Sequence, residues 1–252
     1  MGVTAALTVL GSAGSYPGRG RACSSYLLTV EGTRVLFDCG NGALVNLPCD
    51  GADLDAVVLS HLHPDHCVDL YGLHIALQYG PKAPASVEVY APAGAGGHLA
   101  RLLAPHAADA FTTHLRFREA AAGQRVDIGP LTVALHAAAH PLETLASRVT
   151  LDGVPLLAYS GDSGPTAALV DCARDTGLFV CDATWPDRVG EVPPDLHCTG
   201  GQAGDLAQAA GARRLLVTHV QPAYDPAEVA ADAAARFDGE TLIAEDRMEI
   251  AL

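Results

Sequence analysis

Apolar and polar positions fall in short blocks along the chain, and the blocks predict an ordered series of strands and helices. Apolar or alternating runs at Ala5–Leu10, Ser25–Val30, Thr33–Asp38 and Asp55–Ser60 read as strands. A helical pattern covers Val68–Tyr79, followed by a strand at Ser86–Ala91 and a helix near Gly94–Leu103. The stretch Ala104–Gly123 has no clean period and reads as a loop or lid. Strands resume at Leu131–His136, Ser147–Leu151 and Val154–Tyr159, then a helix over Thr166–Thr176 and a strand over Leu178–Ala183. Thr199-Gly-Gly-Gln202 has the form of a capping box, so a helix is expected from Thr199 to Ala210. Gly211 suits the left-handed residue just past its end. Strand Arg213–Thr218, helix Pro226–Arg236 and strand Glu240–Glu245 complete the series. A strand-rich first half and a mixed second half predict an α/β fold with two sheets inside and helices outside. No linker or tandem repeat interrupts the 252 residues, so 1–252 read as one domain.

The densest chemistry lies directly after the apolar run Ala56–Leu59, in Ser60-His61-Leu62-His63-Pro64-Asp65-His66. Pro64 is expected to hold off a regular helix, leaving these side chains on a loop at a strand end. Imidazole and carboxylate are the ligands taken by zinc, manganese and iron. His61 and His63, two apart, can share one metal, and Asp65 and His66 can reach a second. Such a cluster needs distant partners at other strand ends. The chain supplies His140 after Leu131–Ala137, Asp162 after Pro155–Gly161, and His219 after Arg214–Thr218.

With these motifs the chain resembles the metallo-β-lactamase superfamily, in the branch of phosphodiesterases related to the tRNA 3′-processing endonuclease (ribonuclease Z). The likeness rests on His61-Leu-His63-Pro-Asp65-His66, His140-Pro-Leu-Glu143 with Arg148, Tyr159-Ser-Gly161-Asp162-Ser163-Gly164, His197 and Thr218-His219. It runs from Leu10-Gly-Ser-Ala-Gly14 to Glu245-Asp246 and is nearest to small bacterial members that cleave cyclic nucleotides. The resemblance implies an αββα sandwich and two divalent metal ions, zinc foremost, with manganese or iron also suited. It implies His61, His63 and His140 on one ion, Asp65, His66 and His219 on the other, and Asp162 bridging them. A water between the ions would attack as hydroxide. His197 would protonate the leaving oxygen, a contribution of roughly 10²–10⁴-fold, so Asp65 and His197 are the expected catalytic residues. Asp182, where relatives more often carry Glu, would hold ligand histidines in one tautomer from behind. Arg148 would contact a phosphate oxygen or make a strand-edge salt bridge. A homodimer would be ordinary for the resemblance.

Charge narrows the substrate. The formal net charge is −14, from 29 acidic and 15 basic residues, and Lys82 is the one lysine. A grip on a nucleic-acid backbone needs a basic surface, so a large nucleic-acid partner is not expected, whereas a small phosphoester drawn to a metal pair is. The tRNA endonucleases carry a long arm between the positions of His140 and Asp162. Only residues 141–161 lie between them here, which disfavours tRNA cleavage by any route but an arm-less one. An acyl hydrolase, lactonase or thioesterase is the main alternative, with less need of His197. The absence of an 18-residue apolar run, of a leader, and of a myristoylation motif at Gly2 (position 6 is Ala) predicts a cytoplasmic protein without membrane spans. Seven irregularly spaced cysteines, at 23, 39, 49, 67, 172, 181 and 198, are then expected to be reduced core residues. His74, His98, His106, His114 and His136 have no partner spacing and read as surface or packing residues. The glycine-rich loop Gly11–Arg21 lacks a phosphate-loop motif and reads as a turn, with Arg19 and Arg21 as possible substrate contacts.

Overall fold

A computed structural model describes residues 5–252, without the side chain of His106; the readings of Gly2 and of His106 lie outside what is described. The first half contains β1 (Ala5–Gly11), β2 (Ser25–Val30), β3 (Thr33–Phe37), β4 (Ala56–Val58), α1 (Pro64–Cys67), α2 (Leu70–Tyr79), β5 (Val87–Ala91), α3 (Ala95–Ala100), α4 (Pro105–His114) and β6 (Leu115–Glu119). Then follow β7 (Arg125–Ile128), β8 (Leu131–Ala137), β9 (Leu145–Leu151), β10 (Val154–Tyr159), α5 (Ala167–Ala173), β11 (Leu178–Asp182), α6 (Gly200–Ala210), β12 (Arg214–Thr218), α7 (Pro226–Ala234), β13 (Glu240–Ile243) and β14 (Glu249–Ala251). They form two seven-stranded mixed sheets, ordered β14-β1-β2-β3-β4-β5-β6 and β13-β12-β11-β10-β9-β8-β7.

The period of two along each strand decides which layer its side chains enter. Val35 and Phe37 of β3 enter the core between the sheets, and Leu36 enters the core beneath α2. In β12, Leu216 faces the inter-sheet core, while Leu215 and Val217 face α5, α6 and α7. Three apolar cores result, between four layers in the order helices, sheet, sheet, helices. This is the αββα sandwich.

Two tyrosines tie the sheets together at depth. Tyr26 of β2 shares a 2.6 Å hydrogen bond with Thr218 of β12, and Tyr159 of β10 donates to Asp38, just after β3, at 2.7 Å. Their rings pack at 5.0 Å. The sheets therefore exchange one aromatic anchor each, directly under the rim that carries the histidines.

The structure corrects three expectations. Residues 104–123 are not a lid: they hold α4 and β6. The helix has few large apolar side chains besides Phe111, which is fully buried, so its 3.6-residue period is hard to see. Pro64 does not delay a helix but begins one, as the first residue of α1 with His63 as N-cap. Its missing N–H costs nothing at a helix start. Finally, β7 and β14 are short edge strands that the pattern did not reveal. The capping box is present as expected, with Gly211 left-handed at φ 65°. All seven cysteines are free, and all but Cys49 are buried. Among the described residues no helix is long and apolar enough to cross a membrane.

Candidate metal centre and active site

The site is built from the ends of strands that point to one rim. In sheet one, β3, β4 and β5 are parallel, and in sheet two so are β10, β11, β12 and β13. Their C-terminal ends therefore open on one edge, where ligands gather in such sheets. β4 leads to His61, His63, Asp65 and His66. The connections after β8, β10 and β12 deliver His140, Asp162 and His219, and β11 ends at Asp182. His197 stands three residues before α6.

Pro64 explains how one hexapeptide serves two clusters. His63 is extended, and α1 then turns Asp65 and His66 away from it. The ring of His61 lies 4.8 Å from both His63 and His140, and those two rings are 4.9 Å apart. On the other side, His66 Nε2 and His219 Nε2 are 3.3 Å apart, and each approaches Asp65 Oδ2, at 3.6 and 3.3 Å. Asp162 lies between them. Its Oδ2 is 3.6 Å from His61 Nε2, and its Oδ1 is 3.1 Å from His66 Nε2 and 3.2 Å from His219 Nε2. Two four-residue groups thus share one carboxylate, His61, His63, His140, Asp162 and Asp65, His66, Asp162, His219, and a third, Asp162, Asp182, His197, His219, overlaps them.

The outer ring nitrogens of four of the five ligand histidines have partners. His61 Nδ1 rests 3.0 Å from Ser60 Oγ, which donates to Asp38 Oδ2 at 2.7 Å. His219 Nδ1 rests 2.9 Å from Thr184 Oγ1, which donates to Asp182 Oδ1 at 2.8 Å. His66 Nδ1 meets Asp38 Oδ2 directly at 2.7 Å, and His140 Nδ1 meets Thr144 Oγ1 at 3.2 Å. With Nδ1 so engaged, Nε2 is the nitrogen that each of these four imidazoles turns to the centre. His61 Nε2, His140 Nε2 and Asp162 Oδ1 are buried there with no hydrogen-bond partner. A buried polar atom left alone costs roughly 1–3 kcal/mol, so several aimed at one spot call for a ligand. Imidazole nitrogen with carboxylate oxygen is a donor set that divalent cations accept. Fold and cluster together suggest divalent metals.

Electrostatics separate the two sides. Burial pushes His61 well below its ordinary value and also lowers His140. Burial acts the same way on His66, but Asp162 and Asp38 outweigh it and hold that ring well above its ordinary value. His219 is likewise raised, to about 10, by Asp162, Asp182 and Asp65 against the effect of burial. Burial favours the neutral acid in Asp162 and Asp65, yet the neighbouring imidazoles keep both carboxylates below their usual range. Without a cation the Asp65 side holds protons where the metal would sit.

His197 differs from the ligand histidines. Its Nδ1 meets Asp182 Oδ2 at 2.9 Å, with Asp162 Oδ2 farther away at 3.8 Å. Its ring lies 5.9 Å from that of His140 and 5.1 Å from that of His219, so it stands over both clusters. Trp185 packs edge-on against it at 5.3 Å. With Nδ1 engaged, Nε2 is the nitrogen left to face a substrate.

Two suggested substrate contacts fall elsewhere. Arg148, in the middle of β9, donates to the carbonyls of Cys172 and Arg174, at 2.7 Å each, and so ties sheet two to the end of α5. Both of its side-chain hydrogen bonds go to backbone carbonyls, and among the described residues it makes no salt bridge. The Arg21 guanidinium donates to the carbonyls of Ser12 and Val220. Arg19 is exposed. Conversely, sequence reasoning missed Asp38, Ser60, Thr144, Thr184 and Trp185. Asp38 carried a usable signal, a carboxylate ending an apolar strand as Asp182 does. Its φ of 58° is the left-handed backbone that a β-branched residue avoids.

A family profile described as the beta-lactamase superfamily domain matches residues 33–220. An uncharacterised protein of Mycobacterium bovis is 38% identical over 247 residues, covering 94% of this chain and 88% of its own length. A ribonuclease Z of Haloferax volcanii is 29% identical over 297 residues, covering 96% of this chain and 93% of its own. The metallo-beta-lactamase fold protein YhfI of Bacillus subtilis superposes with a TM-score of 0.87 at 26% identity, over 100% of both chains. The chain belongs to the beta-lactamase superfamily, as a metallo-β-lactamase-fold hydrolase of the ribonuclease Z-like branch.

Proposed function

We propose that the protein is a dinuclear metal-dependent phosphodiesterase acting on a small nucleotide, cyclic nucleotides included. The observation that carries this is the Asp182–His197 pair standing over both histidine clusters. An alkoxide leaving phosphorus needs a proton more than a thiolate leaving carbon does. A histidine whose inner nitrogen is fixed by a carboxylate is built to deliver one.

Two cations held by His61, His63 and His140 and by Asp65, His66 and His219, with Asp162 between, would supply Lewis acidity to the phosphoryl oxygens and acidify water near neutral pH. The chain's own groups handle the protons and the orientation. Asp65 places a carboxylate oxygen beside His219, where it can take the proton shed as water adds to phosphorus. His197 Nε2–H passes its proton to the ester oxygen as the P–O bond breaks. The ring that does so is the imidazolium, protonated on both nitrogens, and Asp182 fixes its orientation by accepting the Nδ1–H. The native metal is zinc, with manganese or iron as alternatives.

The substrate is small. The segment between His140 and Asp162 is filled by β9 and β10, joined by Asp152-Gly153 with φ 51° and 79°. That is a two-residue hairpin turn, and it leaves no arm for a tRNA. The net charge of −14 adds repulsion toward a long polyanion.

The test is turnover of bis(p-nitrophenyl) phosphate, a cyclic-nucleotide panel, linear dinucleotides and a thioester, side by side on the metal-loaded protein. Phosphodiester turnover that falls roughly 10²–10⁴-fold in His197→Ala, at unchanged metal content, is the expected result. Turnover of thioesters or lactones alone would transfer the site to acyl hydrolysis.

A further inference from the structure

The loop Gly11–Arg21 does more than turn the chain. The Ser15 N–H, on a residue with φ 64°, donates to Asp65 Oδ2 at 2.8 Å. Gly14 abuts His219 so tightly that a Cβ there would lie 2.2 Å from its carbonyl oxygen and 2.6 Å from its Nδ1. Two consecutive residues thus touch two members of the same cluster. What holds the loop lies away from the centre. Asp246, beyond β13, accepts from Ser12 N at 3.1 Å and Ser12 Oγ at 2.9 Å through Oδ1. Through Oδ2 it accepts from Ala22 N at 2.7 Å and Asn46 Nδ2 at 3.1 Å. Arg21 closes the stem from the other side, to Ser12 O at 2.9 Å and Val220 O at 3.0 Å. Val220 is the residue after His219.

We propose that Asp246 is a positioning residue for the Asp65–His66–His219 half of the centre, acting through Ser12, Gly14 and Ser15 so that the second cation binds tightly only while this remote carboxylate pins the loop. This rests on the dinuclear reading above. Asp246 touches neither cluster. Its four accepted hydrogen bonds fix both arms of the loop, and the loop fixes an oxygen of Asp65 and the seat of His219. Second-layer partners of this kind are worth roughly 10–100-fold in metal affinity.

The test is Zn²⁺ titration of the full-length, metal-stripped protein, with cations per chain counted by native mass spectrometry. The variants are Asp246→Ala, Asp246→Asn and the milder Ser12→Ala, with Asp205→Ala, an exposed partner of Arg236, as control. The first cation is expected to bind as in the unaltered chain. The second weakens roughly tenfold or more in both Asp246 variants and less in Ser12→Ala, and the control changes neither. Circular dichroism melts accompany each titration. A structural role alone would weaken both cations together, and that outcome overturns the proposal, as does a second cation bound with unaltered affinity. If Asp246→Ala does not fold, Ser12→Ala decides between the same two outcomes. An unaltered chain that takes up fewer than two cations refutes the dinuclear reading itself, and does so before any variant is made.

Discussion

Each sheet contributes one buried aspartate behind the centre, and the two aspartates do different work. Asp38, on the rim of the first sheet, takes His66 directly and His61 through Ser60; it also accepts the Ser60 N–H and the Tyr159 hydroxyl. Asp182, on the rim of the second sheet, takes His197 directly and His219 through Thr184; it also accepts the Ser163 N–H. The wiring is the same, a carboxylate with one direct imidazole and one reached through a hydroxyl. The clients differ. Both histidines on Asp38 are ligand candidates, one in each cluster, whereas Asp182 serves one ligand candidate and the proposed proton donor. A single motif thus backs two ligand candidates on one sheet and, on the other, one ligand candidate together with the proposed proton donor.

The comparison breaks most sharply at Asp38. Asp38→Ala leaves four buried donors without an acceptor. It is expected to weaken both cations by roughly 10–100-fold or more and to lower the unfolding free energy by about 3 kcal/mol or more, read from metal titration and urea melts. Asp182→Asn comes next. It should lower kcat toward the roughly 10²–10⁴-fold loss of the missing acid while costing less metal affinity than Asp38→Ala. Equal metal loss in the two would erase the distinction. The hydroxyl relays should be smaller and parallel. Ser60→Ala and Thr184→Val each remove one link worth about 1 kcal/mol, with weaker metal binding on the His61 side for the first and the His219 side for the second.

The last effect is in pH and belongs to the stripped protein alone. His219 is raised to about 10 in the folded, metal-free chain, above the ordinary 6.5. The stabilisation from its charged form is complete below pH 6.5 and is lost as pH rises through about 10. The melting temperature of the stripped protein should therefore decline across that window. That of the metal-loaded protein should not, because the cation replaces the proton.

Why some of this was legible in the sequence follows from what a sequence can display. His61 to His66 stand out because four ligating residues crowd into six positions after an apolar strand. His140, Asp162 and His219 stand out because each ends a strand of its own. Asp38 obeys the same rule at Phe37-Asp38 but lies 22 residues before Ser60, and nothing local announces that β3 and β4 will lie side by side. Ser60, Thr144 and Thr184 are ordinary residues whose role exists only once a ring nitrogen is brought within 3.2 Å of each. Arg148 was misplaced for the converse reason: a cation in a motif gives no sign of which way its strand faces. The capping box before α6 and the left-handed Gly211 were readable in full, because capping depends on residues only a few positions apart.

The crossed tyrosines carry a last implication. Tyr26 reaches from the first sheet to Thr218, Tyr159 reaches back to Asp38, and the backbone amide of Ser60 ends on that same carboxylate. The catalytic floor and the seam of the sandwich are therefore one cooperative unit, and neither can breathe without the other. The Ser60 amide should surrender its proton to solvent only when the whole molecule unfolds, so any motion that admits substrate belongs to the loops above the floor.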